Sequence, residues 1–109
     1  MRIGFYTYGN PLMGMGHIYR CLALSETACK TLGWTPEFIL KDHAEGIAVV
    51  AASEFPFMVL QKGEEVSGDW DVLVVDQLST DPMEMAALST HCQILIALDD
   101  TGAGRYEAT

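Results

Sequence analysis

Apolar positions along this chain alternate between two periods. Residues Ile3 to Tyr8 are rich in aromatic and β-favouring side chains, and the run stops at the turn formers Gly9-Asn10-Pro11. This predicts a first strand. From His17 to about Leu32 the period changes. Ile18, Cys21, Leu22, Ser25, Ala28, Cys29 and Leu32 recur at spacings of three and four, which is one face of an amphipathic helix. Gly33 follows as a C-cap should, and Pro36 blocks continuation. A short strand is predicted at Glu37–Leu40. A small-residue helix follows at Ala44–Ser53, with Ile47, Val50 and Ala51 as its apolar positions. A third strand covers Phe57–Leu60, and the polar stretch from Gln61 to Asp69 is a loop with two glycines. Asp71–Asp76 is a continuous β-branched run, which predicts a strand buried on both faces. Asp81-Pro82 has the residues of an N-cap and first helical position, and opens a helix to about Thr90. Gln93–Leu98 is a fifth strand, and Thr101–Gly104 a loop.

The resulting order, β-α-β-α-β-β-α-β, places the chain in the α/β class. Strands separated by helices pair in parallel, with helices on both faces and right-handed crossovers. The expected architecture is a Rossmann-like three-layer α/β/α domain with a mostly parallel five-stranded sheet of order 3-2-1-4-5. Its 109 residues suffice for one core and are too few for two. The chain stops in a loop soon after strand five. This predicts a sheet completed by a partner, or a longer protein of which this is the first part.

The formal net charge is −9, and the six basic residues are scattered. Nucleic acid and anionic membranes would be repelled. The three cysteines form neither a Cys-x-x-Cys pair nor an even set, which fits a reducing compartment better than a disulfide framework or zinc. The N-terminus carries no signal-peptide pattern, and no apolar run approaches the ~20 residues of a membrane span. A cytoplasmic protein without a metal site is expected.

In an open parallel sheet, ligands bind beyond the carboxyl ends of the strands, where the strand order reverses. Here that point lies between strands one and four. Gly9 to His17, Asp76 to Asp81 and Asp99 to Gly104 converge on it. In the turn Gly14-Met15-Gly16-His17, glycines let a ligand approach the backbone, and the following helix start favours an anion. The third glycine of a dinucleotide fingerprint would fall at Tyr19, and no Gly-Lys-Ser/Thr follows. No NAD or NTP cofactor is therefore implied. The alternative is a mere tight turn. His17, at the helix start, is a candidate base or hydrogen-bond donor, or else a cap. Arg20, one turn on and on the neighbouring face, suits a phosphate or a carboxylate, Asp76 included. Asp76, Asp99 and Asp100 end their strands. They could orient sugar hydroxyls or water, hold His17, or only cap loops. His43 and His91 are placed away from the crevice, on the surface.

The run from Gly14 to Leu24 reads Gly-Met-Gly-His-Ile-Tyr-Arg-Cys-Leu-Ala-Leu. It resembles the signature Gly-x-Gly-His-x-x-Arg-Cys-Leu-x-Leu of the nucleotide-sugar hydrolases of pseudaminic acid biosynthesis and the related SpsG-type spore-coat polysaccharide proteins. These are relatives of the MurG-type GT-B glycosyltransferases. The Asp-ended strand at Asp76 and the Asp99-Asp100 pair look similar too. The resemblance implies half of a GT-B architecture, acting at the anomeric carbon of a UDP-sugar. His17 would match the histidine implicated in activating water. A C-terminal Rossmann-like domain, of the same or another chain, would supply most nucleotide contacts. The stretch Phe5-Tyr6-Thr7-Tyr8 departs from the family's Phe-Arg-x-Asp, so hydrolysis and transfer both stay open. The rival reading is a non-catalytic binding or assembly module that keeps the Gly-rich turn.

Overall fold

The computed structural model describes residues 1–8, 15–61, 63–77, 80–98, 104 and 107–109. The elements are β1 (Arg2–Thr7), α1 (Gly16–Leu32), β2 (Thr35–Lys41), α2 (Ala44–Ala52), β3 (Phe57–Leu60), β4 (Trp70–Asp76), α3 (Pro82–Ser89) and β5 (Cys92–Leu98). They form one five-stranded sheet in the order β3-β2-β1-β4-β5. All four neighbouring pairs are parallel, so the expected mixture is in fact uniform. This is the Rossmann-like arrangement anticipated from the pattern.

Local chemistry explains the boundaries. Gly33 ends α1 at φ 69°, the left-handed conformation a C-cap requires, and its N–H returns to helix carbonyls. Asp81 caps α3 by accepting from the Met83 N–H at 3.0 Å, with Pro82 next in the chain. Both punctuation marks act as the sequence implied.

Strand alternation splits the core into two layers. Ile3, Phe5, Phe38, Val72 and Val74 face α1 and α2, meeting Ile18, Cys21 and Val50. Tyr6, Ile39, Trp70, Leu73 and Leu95 face α3, meeting Met85 and Leu88. Val72 to Val75 are all buried, as a strand with two covered faces demands. Phe38 is fully buried and stacks at 5.5 Å on Phe5, its register partner. Phe38→Ala is expected to cost about 3–5 kcal/mol, read as a lowered urea midpoint with an unchanged slope.

One crossover is unusual. From β3 to β4 the chain passes β2 and β1, yet residues 61–69 contain no helix among those described. Parallel crossovers usually place a helix over the sheet. Here the segment bends through Gly63 and Gly68, both at positive φ, and leaves a groove beside α3. No helix among the described residues is long and apolar enough to cross a membrane.

Candidate functional site

The strand order reverses between β1 and β4, so α1 leaves the sheet on one face and α3 on the other. The crevice this creates lies at the carboxyl ends of the strands. Asp76 ends β4 there, and Leu98 at the end of β5 is its register partner. The chain therefore leaves β5 on the same edge. Gly14, Asp99 and Asp100 lie outside the described residues.

Asp76 is the centre of the site. Its side chain is fully buried, which for a carboxylate requires partners. Three come from α1. His17 Nδ1 lies 2.6 Å from Oδ1. Arg20 Nε donates to Oδ2 at 2.8 Å, and a second guanidinium nitrogen donates to Oδ1. The Cys21 thiol approaches Oδ2 at 3.5 Å. Positions 17, 20 and 21 are neighbours on a helix surface, since three and four residues make one turn. Arg20 thus shares a carboxylate with His17 instead of occupying a neighbouring face. Of the roles open to Asp76, the geometry selects holding His17 and Arg20. Its oxygens are already met by four donors, so it positions groups and has little capacity left for a ligand. Thr7 Oγ1 donates to the Asp76 carbonyl at 3.0 Å, which anchors this end of β4 to β1.

Burial pushes the Asp76 carboxyl up. The hydrogen bonds and charges of Arg20 and His17 outweigh this and hold it below its ordinary value. The sign for stability follows. A depressed carboxylate stabilises the fold fully above its unfolded value, and that contribution is lost as pH falls through the lower folded one. Stability measured by urea from about pH 6 to about pH 2 should therefore drop mainly below about pH 4. Asp76→Asn should flatten that drop. Burial, then Asp76, pushes the Cys21 thiol up, so it stays protonated and packs as a core side chain.

With Nδ1 donating to the carboxylate, the neutral His17 ring carries its lone pair on Nε2. The ring is mostly buried, and Tyr8 covers it at 5.5 Å between centroids. Tyr8 in turn meets the His43 ring at 6.0 Å and the Lys41 ammonium at 5.2 Å. Lys41 Nζ donates to Gln77 Oε1 at 3.0 Å. His43 therefore belongs to the edge of this crevice, contrary to its expected place on a remote surface. It directly precedes α2, so the end of β2 delivers it beside β1. The signal was its chain position just past a strand adjacent to β1. Tyr8, Lys41 and Gln77 carried a similar signal. His91 lies at the opposite end of the sheet, bonded to the Gly68 carbonyl at 2.7 Å.

The start of α1 is chemically open. Met15 holds the N-cap position without a side-chain hydrogen bond, and no acidic residue occupies the first turn. Met15 packs its side chain on the core, so only its backbone is available to a ligand. A Cβ added to Gly16 would meet nothing within 4 Å, and its φ is not positive. Neither packing nor backbone strain demands glycine there. Among the described residues, no three His, Cys, Asp or Glu side chains gather as a metal site. Comparison of the chain with protein-family models, curated proteins and solved structures found no match.

Proposed function

We propose that this domain is the sugar-side half of a GT-B-like enzyme that hydrolyses or transfers the sugar of a UDP-sugar in surface polysaccharide biosynthesis. The observation that carries the reading is the His17–Asp76 pair beside an uncapped helix start. A buried carboxylate fixes the ring through Nδ1 and leaves Nε2 as the atom to accept a proton from water or a sugar hydroxyl. The N–H groups of the first turn of α1, which the N-cap Met15 does not bond through its side chain, suit a diphosphate or a sugar oxygen. Arg20 stiffens the arrangement by its two bonds to Asp76. Gly16 has no side chain to block an approach to the backbone, and in the sequence Asp99 and Asp100 follow the strand paired with β4. A C-terminal Rossmann-like domain supplies the nucleotide contacts in this reading, and the reaction is cytoplasmic.

The test is UDP release from UDP-sugars by the protein with its second domain, compared with His17→Ala. Unchanged turnover in the variant overturns the assignment of His17 as base. A non-catalytic module is the second reading, favoured by one feature. Asp76 is so fully bonded that the same residues also act as a clamp of α1 to β4. UDP-sugar binding without any UDP release would support that module.

A further inference from the structure

The end of β2 sends a cation across the crevice. Lys41, the last residue of β2, donates to Gln77 Oε1 at 3.0 Å, and Gln77 directly follows β4. β1 lies between those two strands, so the ammonium bridges over its end, 5.2 Å from the centre of the Tyr8 ring. Both partners are uncharged. Among the described residues no carboxylate pairs with Lys41, in a chain of 15 acidic and 6 basic residues. An ammonium carries three N–H donors, and Gln77 takes one of them. Nearby charges are spent on one another, since Asp76 is matched by Arg20 and His17. His43 flanks the spot: its ring meets Tyr8, and its side chain does not cap α2.

The place of this cation decides what it can meet. Lys41 lies with Tyr6 and Leu88 on the α3 side of the sheet, whereas α1 and its uncapped start lie on the other side. Tyr8 stands between them, touching His17 and Lys41. The two features therefore suit two different groups of one ligand, and not a single phosphate. With a diphosphate at the start of α1 and the reacting sugar carbon at His17 Nε2, the group that reaches Lys41 belongs to the far side of the sugar. Asp42, Glu64, Glu65 and Glu84 line the groove on the α3 side, and their field opposes an anion extending along it. This limits the anion to a short group held at Lys41 itself, as a carboxylate on the sugar ring would be.

We propose that Lys41 selects a UDP-sugar whose sugar ring carries a carboxylate, a hexuronate. The proposal rests on the UDP-sugar reading for the rest of its ligand. In an amide NMR titration of the 109-residue chain, UDP-glucuronate should bind about tenfold more tightly than UDP-glucose, the size of one charge-assisted contact. Its shifts should include Tyr8, Lys41 and His43. Lys41→Gln should erase the preference, and Lys41→Arg, which keeps the charge, should retain most of it. Lys30→Gln removes the same charge from the last turn of α1 and should leave the preference intact. Equal binding of the two UDP-sugars overturns the proposal, as does a preference that persists in Lys41→Gln. So does UDP alone shifting Lys41 as strongly as UDP-glucuronate, which would make the diphosphate the anion at this position. Free D-glucuronate and D-glucose separate the proposal from the reading beneath it. If no UDP compound binds the chain, saturable shifts at Lys41 from glucuronate and none from glucose uphold the recognition of an acidic sugar, and their absence overturns it. If UDP is released from both UDP-sugars with equal kcat/KM, the UDP-sugar reading stands and the selection by Lys41 falls.

Discussion

Turnover of a UDP-sugar should fall by about 10²–10⁴-fold in His17→Ala, the usual contribution of a positioned general base. The informative companion is His17→Asn. Its amide nitrogen sits close to where Nδ1 was and keeps a donor for Asp76 Oδ1, but nothing replaces Nε2. If His17 is the base, Asn behaves like Ala in kcat while retaining the wild-type melting temperature. If His17 only fastens α1 to β4, Asn preserves turnover and Ala loses stability along with activity.

The second large effect is on stability. Arg20→Ala strips two hydrogen bonds from a carboxylate that remains fully buried. Removing one partner of a buried pair is costly because the other charge stays unpaired. The Arg20 side chain is 38% exposed, so water compensates part of the loss. About 2–3 kcal/mol of destabilisation is expected, a fall in melting temperature of roughly 10–20 °C for a domain of this size. Acid sensitivity should also shift. Without Arg20 the Asp76 carboxyl is less depressed, so less stability is lost on acidification than in the wild type. The double variant Arg20→Ala with Asp76→Ala should lose less than the sum of the single changes, because no orphaned charge is left. Additive losses, or an Arg20→Ala protein within about 0.5 kcal/mol of wild type, would show the pair to be screened surface electrostatics.

Much of the fold was legible because it rests on local rules. The period change at His17, the cap at Gly33, the Asp81-Pro82 start and the β-branched run at Val72–Val75 each act within a few residues. The strand order follows from adding the rules of parallel pairing and right-handed crossover. The site was legible in part. Chain position at strand ends placed His17 and Asp76 on one edge. His43 and Tyr8 escaped, because their meeting depends on how the ends of β1 and β2 come together in three dimensions.

The sequence by itself determined the elements, their order and the edge of the sheet where chemistry gathers. Each follows from periodicity, turn chemistry and chain direction, which are properties of neighbouring residues. Only the tertiary structure decided the partners. Asp76 could have faced solvent, a ligand or α1. Residues 59 and 56 positions away in the chain, His17 and Arg20, claim its oxygens because α1 packs over β1 and β4 in that register. Tertiary structure also decided that a crossover without a helix leaves a groove beside α3. Local pattern cannot register an empty space, since a cavity is defined by elements distant in sequence that fail to meet.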